Sequence, residues 1–529
     1  MNITKNIKLG TVALFGALTM TACLSDLDQT PIDPNAFTEL DVFADVETAK
    51  GALAKLYNSI AITGQTGPSG NPDLAVDDEG ASQYTRLMFG HQTLCTDEAV
   101  NGWGDGNLSE FHAMNWSAEN GFVSDYYNRL GQSVSFANSF IANAANLGDN
   151  AEVQTMIAEA RFLRAYHYYN LMDAFGNVPL VTEIKSELPA QNSREEIFTF
   201  VEAELIALAD ALPASNEYGR VDRVAAQALL SRLYLNAESF IGIDKYTEAI
   251  TYSLAVINSG YSLHSDYQEL FLADNDTNGA QNENIFVIPY NGLQTQTYGG
   301  TTFFIHANIG GSFDASTIGS DGVWAGNRTT KSLVEKFEST GTDGSGNPIS
   351  WADQRAMFYA DGQSYEINDI KMFTDGYMAV KYKNLLSDGT ANPQDGSGTM
   401  SDIDQPLIRM AEVYLNYAEA VLRGGAGGST GQAVAYINEL RERGYGNSNG
   451  NVTSIDLDFI LDERARELYH EGTRRTDLIR HNKFTQGSYL WPFKGDIKDG
   501  SAVESFRNVY PIPTNVLLVN DQLTQNEGY

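Results

Sequence analysis

Cysteine is nearly missing from this chain: Cys23 and Cys95 are the only two in 529 residues. With Cys23 modified no disulfide can form inside the chain, so neither a disulfide scaffold nor a Cys-rich metal framework holds the fold, and stability must come from a packed core. Histidine is scarce as well. The seven present form no metal-ligand spacing, and His470-Glu471 is followed by Arg474 where a zinc-protease helix needs its second His. Positive charge is the third shortage: 34 Lys and Arg stand against 68 Asp and Glu, a net charge of −34. Such a surface repels nucleic acid, anionic headgroups and acidic polysaccharides, while solubility alone accounts for much of the charge. Neutral ligands remain open. No phosphate loop is evident, and no long low-complexity stretch.

The N-terminus sets the expected compartment. Lys5 and Lys8 precede an uncharged run from Leu9 to Met20, and Thr21, Ala22 and Cys23 follow. That order reads as a signal peptide over 1–22 with a lipoprotein cleavage site, and Cys23 is the residue expected to carry the lipid. The run is too short for a membrane-spanning helix, which needs roughly 20 apolar residues. Removing the leader takes away two lysines and no acid, leaving −36.

Helical periodicity dominates much of the rest. Ala158, Phe162, Ala165 and Tyr169 share a face of a helix expected over Gln154 to Ala174, stopped by Gly176 and Pro179. Further helices are expected over Glu195 to Leu212, around Ala226 to Ala237, and over Lys245 to Asn258, where Tyr246 and Ala249 stand as at the start of a tetratricopeptide unit. From Gly260 to about Asp404 the pattern breaks into Gly, Asp, Asn, Thr and aromatics, and it returns with Ala411, Leu415, Ala418 and Leu422, then Val434 to Arg443 and Phe459 to His470. The fold expected is mostly α: one domain over 23–529, with tetratricopeptide-like helical hairpins built from both halves of the chain, about 35–260 and 405–480. An irregular, loop-rich insertion spans about 261–404 and a closing segment 481–529. Long loops in a compact protein commonly serve binding, which makes the insertion the first place to look for recognition.

Several segments together resemble the SusD/RagB family. They are Glu159-Ala160-Arg161-Phe162-Leu163-Arg164-Ala165-Tyr166 with Phe175-Gly176-Asn177-Val178-Pro179-Leu180; Ile408 to Leu415 with Tyr417-Ala418-Glu419-Ala420; Asn438 to Arg443; Glu463 to Leu468 with Glu471-Gly472 and Asp477 to Arg480; and Tyr510-Pro511-Ile512-Pro513 with Gln525 to Tyr529. The resemblance implies an outer-membrane lipoprotein of Bacteroidetes that binds glycans at the cell surface as the lid of a TonB-dependent (SusC-like) transporter. Ser25, Asp26 and Asp28 resemble the surface-export signal of such lipoproteins. The Phe-Leu-Arg and Glu-Arg signatures themselves are read as scaffold, packing helices through buried salt bridges.

A neutral sugar needs aromatic planes for its CH faces and Arg, Asn or Asp for its hydroxyls. Two segments combine these and resemble the starch-type, glucan-binding branch. The first carries Arg86 and Trp103, with Asp105 and Asn107 as polar candidates close behind; the family's Asn after the Trp falls on Gly106 or Asn107. Glycines 102 and 104 are expected to leave the Trp103 ring uncovered. The second lies in the insertion and carries Tyr298 and Trp324. Trp116, Trp351 and Trp491 are assigned to the core. The ligand expected is a glucan, starch-like or laminarin-like, and no cofactor is required.

Asp274, Asp276, Asn278 and Gly279 reproduce the first half of a calcium loop, with Glu283 two residues short of the usual bidentate position, which Ile285 fills. These four oxygen-bearing side chains are a candidate structural calcium site, weighed against a solvated Asp/Asn turn. Gly427-Gly428-Ser429-Thr430-Gly431 matches a hydrolase elbow by pattern, but it follows a helix where the elbow needs a strand, so it is discounted. The competing functions are a glycosidase working with paired carboxylates, and a helical-repeat scaffold for peptide or protein partners.

Overall fold

The computed structural model describes residues 39–529 apart from 69 and 77–79; the leader and the Cys23 lipidation site lie outside the described residues. Helices α1 (Val46–Ala61), α2 (Tyr84–Phe89), α3 (Gly121–Ala144), α4 (Ala151–Phe175), α5 (Arg194–Ala211), α6 (Arg223–Leu235) and α7 (Tyr246–Ile257) come first. After them come α8 (Gly300–Ala307), α9 (Met410–Leu422), α10 (Thr430–Tyr445) and α11 (Leu457–Leu468). Most starts are set by side chains that accept a free backbone N–H of the first turn: Asn120, Asn150, Asp222, Ser429 and Asp456, and Ser193 in a capping box with Glu196. Ser429 is therefore a helix cap and not a nucleophile.

The helices stack in chain order from α3 to α7, and α7 then packs against α9, which meets α10 and α11. The stack thus runs on across the excursion between residues 258 and 409. Strand β2 (Asn284–Ile288) closes that excursion by pairing antiparallel with β4 (Gln405–Arg409), while β1 (Ala99–Asn101) pairs with β3 (Asn327–Thr329). Phe271, Phe286, Phe304 and Tyr382 from the excursion enter the main apolar core, and a smaller cluster gathers Leu333, Phe337, Phe358 and Tyr377 against Tyr469. Trp116 and Trp491 are buried as expected, and Trp351 is half-buried on the smaller cluster.

Helix α4 departs from the expected amphipathic reading. From Phe162 to Phe175 it is buried all round, with Arg164, His167 and Asp173 enclosed as well. Its polar residues are accommodated by partners rather than by water: Asp173 accepts from Gln92 at 2.6 Å and Arg475 at 3.1 Å, and Arg164 pairs with Glu204 at 3.1 Å.

The Arg and Glu signatures form a buried ionic lattice. Arg409 meets Glu283 at 2.9 Å, Glu467 at 2.5 Å and Glu471 at 2.7 Å. Arg355 meets Asp353, Glu463 and Glu467 between 2.6 and 2.9 Å, and Arg480 meets Glu419 at 2.6 Å. Charges buried this way must stay paired, because losing one partner leaves the other desolvated.

That lattice bears on the residues of the candidate calcium site. Glu283 is fully buried against Arg409 and Arg443, and it accepts the His264 backbone N–H. Asp274 accepts the backbone N–H and hydroxyl of Ser387, Asp276 accepts the Thr277 hydroxyl at 3.1 Å, and Asn278 binds the Glu269 carbonyl and the Ala280 N–H. The segment is an Asp/Asn turn whose last acid belongs elsewhere. Among the described residues no group of three or more His, Cys, Asp or Glu is placed to hold a metal ion.

Candidate functional site

The β1–β3 ladder builds the site. Its register pairs Ala99 with Thr329 and Asn101 with Asn327, and the Gly102 N–H extends it by donating to the Gly326 carbonyl at 3.0 Å. Continued one step further, this ladder delivers Trp103 to Trp324 across 221 residues of chain. The Trp103 indole N–H donates to the Trp324 carbonyl at 3.0 Å, and the Trp103 backbone N–H donates to the Asn101 side chain at 2.8 Å. Beneath them the amides run in a chain, Asn101 to Asn327 at 2.7 Å and Asn327 to Asn308 at 2.9 Å, all three buried.

Glycine matters here for close approach. A Cβ at Gly326 would lie 2.5 Å from the Trp103 ring, and one at Gly102 would lie 2.5 Å from the Ile370 carbonyl oxygen. Gly102 is thus required by packing, which corrects the expectation that it serves to uncover the ring; only Gly104 faces open space.

Helix α8 supplies the floor. His306 stacks under Trp324 at 4.6 Å and 15°, held by its own contacts to the Gly322 and Thr399 carbonyls, and Phe303 meets the edge of Trp103 at 5.9 Å. Tyr298 lies just ahead of the helix, its ring 6.0 Å from Trp324 and inclined by 65°. Trp103 and Trp324 are 6.5 Å apart and inclined by 49°. The Gln83 side-chain oxygen accepts from the Arg86 N–H at 3.1 Å and the Gly300 N–H at 2.7 Å, tying α2 to the start of α8. Arg86 then lays its guanidinium 5.3 Å from the Trp103 ring centre and 5.2 Å from that of Phe303.

Four of the six sequence candidates therefore converge: Arg86, Trp103, Tyr298 and Trp324, each half-buried. The two others do not join them. Asp105 is exposed on the following turn, and the Asn107 amide is turned to Glu110 at 2.6 Å, a bond that braces the short helix Ser109–Ala113. Asn107 is thus a local structural residue. His306 and Phe303 were not anticipated; the run Thr-Phe-Phe-Ile-His, with Phe303 and His306 three apart, was the available sign of a helix there.

What the arrangement can do follows from its parts. Neighbouring aromatic planes are inclined by 49° and 65°, so together they make a bent arc rather than a flat shelf. Each offers apolar surface, and the guanidinium adds donors at one end. Aromatic surface beside a guanidinium suits an uncharged, hydroxyl-rimmed sugar chain.

Comparison with known proteins agrees with this architecture. Residues 313–529 match the family model described as the SusD family, and residues 74–235 match one described as starch-binding associating with outer membrane. The starch-binding protein SusD of Bacteroides thetaiotaomicron is 34% identical over 99% of this chain and 100% of its own. A SusD-like protein of Bacteroides ovatus is 24% identical over 77% of this chain and 75% of its own. Among solved structures, a SusD homolog from Bacteroides thetaiotaomicron superposes with a TM-score of 0.70 at 20% identity, covering 93% of this chain and 99% of that one. A laminarin binding SusD-like protein does so with a TM-score of 0.69 at 22% identity, covering 92% and 100%. By its fold, by its two family matches and by its identity to a relative over the full length of both chains, this chain belongs to the SusD family.

Proposed function

We propose that this chain captures a neutral glucan at the cell surface and hands it, uncut, to a TonB-dependent outer-membrane transporter, held at the membrane by a lipid on Cys23. The observation that carries the reading is the inclined arc of Trp103, Trp324 and Tyr298 with Arg86 at its edge. An α-linked, starch-like chain is favoured over a laminarin-like one because the 34% identical relative is named for starch binding. The net charge of −34 supports an uncharged ligand. The leader and the family description that names the outer membrane support the location. Affinity electrophoresis against starch, laminarin, pustulan, xylan and alginate tests the proposal. Retardation by starch, with no new reducing ends after incubation, is expected; preference for alginate, or release of reducing ends, would overturn it.

A further inference from the structure

His306 holds Trp324 in three ways at once. Its ring lies nearly parallel to the indole at 4.6 Å and 15°, its backbone carbonyl accepts the Trp324 N–H at 2.9 Å, and its ring nitrogens reach two separate loops. Nδ1 meets the Gly322 carbonyl at 3.0 Å, two residues ahead of Trp324, and Nε2 meets the Thr399 carbonyl at 2.9 Å. The residue is buried, at 1% exposure. A neutral imidazole has one N–H and one bare nitrogen, whereas a carbonyl oxygen can only accept. Two carbonyls facing the two nitrogens are therefore both satisfied only by the doubly protonated ring.

The neutral ring has a substitute donor in the Ser320 hydroxyl, 3.0 Å from Nδ1 and 2.9 Å from the Gly322 carbonyl. That hydroxyl has a single proton. Given to Nδ1, it is lost to the Gly322 carbonyl, which then faces a lone pair; given to Gly322, it leaves the ring to donate at both ends. Burial opposes the added charge, and the surroundings offset it. Asp321 places a carboxylate oxygen 3.9 Å from Nε2 and accepts the Thr399 hydroxyl. The loop 395–402 adds Asp395 and Asp402, both bound to backbone N–H groups. Arg86, from the neighbouring helix α2, lies over Trp103 and Phe303, and Tyr298 meets Trp324 at an incline. The indole face itself attracts a cation stacked on it.

We propose that His306 is a positioning residue for the aromatic arc: with both ring nitrogens protonated it ties the Gly322 and Thr399 carbonyls together beside Trp324, and glycan binding is tighter in that state. This rests on the reading of the arc as a glucan platform, and part of its test uses no glucan. In the full chain labelled with 15N-histidine, the His306 ring is assigned by the signal missing from His306→Phe. It should pass from two protonated nitrogens to one as pH is raised from about 5 to about 8. The Trp103 indole N–H signal should move over the same interval, because its acceptor is the Trp324 carbonyl. Affinity for maltoheptaose should fall roughly three- to tenfold across it, the size of one hydrogen bond or cation–ring contact. His306→Phe keeps a stacked ring and loses both N–H groups, so it should bind at the weaker level at every pH in the interval. Ser320→Ala, which removes the donor that serves the neutral ring, should steepen the dependence and keeps the test valid if His306→Phe fails to fold. A ring whose protonation does not change over the interval, a dependence that survives His306→Phe, or one that Ser320→Ala leaves as it was, overturns the proposal. Absence of maltoheptaose binding at every pH overturns the proposed function instead, and the two NMR readouts still decide the role of the ring.

Discussion

The Trp103 indole N–H donates to the backbone carbonyl of Trp324 at 3.0 Å, so the two large rings of the arc are joined by a bond that uses one side chain and one main chain. Trp103 lies two residues past β1 and Trp324 three before β3, and the Trp324 and Gly326 N–H groups donate to the His306 and Ala307 carbonyls at 2.9 Å, so the ladder and helix α8 together set the angle between the rings. Both rings also pack on the core, Trp103 on Phe303 and Trp324 on His306. They are at once platform and fold.

That double role sets the expected effect of truncation. Trp324→Ala should weaken glucan binding by at least about tenfold, equivalent to roughly 1.4 kcal/mol, and should also lower the melting temperature by a few degrees, since stacked aromatic pairs contribute about 0.5–1.5 kcal/mol beyond burial. Trp324→Phe should restore most of the stability and part of the binding. Calorimetric titration and thermal melts separate the two readouts.

Gly326→Ala should damage binding without touching the ligand. The new Cβ would sit 2.5 Å from the Trp103 ring, which must swing away and give up its bond to Trp324. Lost affinity with an unchanged far-ultraviolet spectrum is expected; full affinity would show that the ring position is not critical.

Arg86 is expected to act through its planar group. Arg86→Lys keeps the charge but loses the flat fork that lies over Trp103 and Phe303. It should therefore lose nearly as much affinity as Arg86→Ala, as measured by titration with maltooligosaccharides.

The sequence made the helical stack legible because its stripes are long and regular: Ala411, Leu415, Ala418 and Leu422 all fall within α9. It also marked Trp103 and Trp324, through their Gly and Asp neighbours. It could not reveal the three-residue strands that join them, because β1 and β3 are too short to show a period of two and lie more than 200 residues apart. Helix α8 was hidden for a related reason: eight residues opening on Gly300, with β-branched Thr301 and Thr302 next, have weak helical propensity, and burial on every side supplies the stability instead. Glu283 read as a calcium ligand by spacing because its arginine partners come from positions 409 and 443.

The ionic lattice makes acid the weak side of this fold. Burial alone would raise the Glu467 carboxyl, but the guanidiniums of Arg443, Arg409 and Arg355 outweigh it and hold it at about 2. Glu463, Glu419 and Asp477 are lowered in the same way by neighbouring cations, against the effect of burial. A depressed carboxyl stabilises fully above its unfolded value, near 4.3 for Glu, and that contribution is lost as pH falls through the folded value. Glu98 and Asp404, raised by burial to about 8 and about 7, act with the opposite sign and lose their contribution as pH rises towards those values. Scanning calorimetry should show the melting temperature falling steeply between about pH 4 and pH 2, with a shallower decline as pH rises from about 4 to about 8.

Arg409→Met tests the lattice itself. It leaves Glu283, Glu467 and Glu471 short of a partner in a dry interior, at a cost of about 3–5 kcal/mol by the behaviour of broken buried pairs. Denaturant unfolding measures this directly, and a variant as stable as the parent would show that the remaining cations carry the load.

Curvature is what the arc contributes, so the sharpest comparison is between two uncharged glucose chains that differ in shape. Titrating the protein with maltoheptaose and with cellohexaose should give at least about tenfold tighter binding of the coiled α-linked chain, and that preference should vanish in Trp324→Ala. Equal or tighter binding of the flat β-linked ribbon, or a preference that survives the loss of Trp324, would contradict the account.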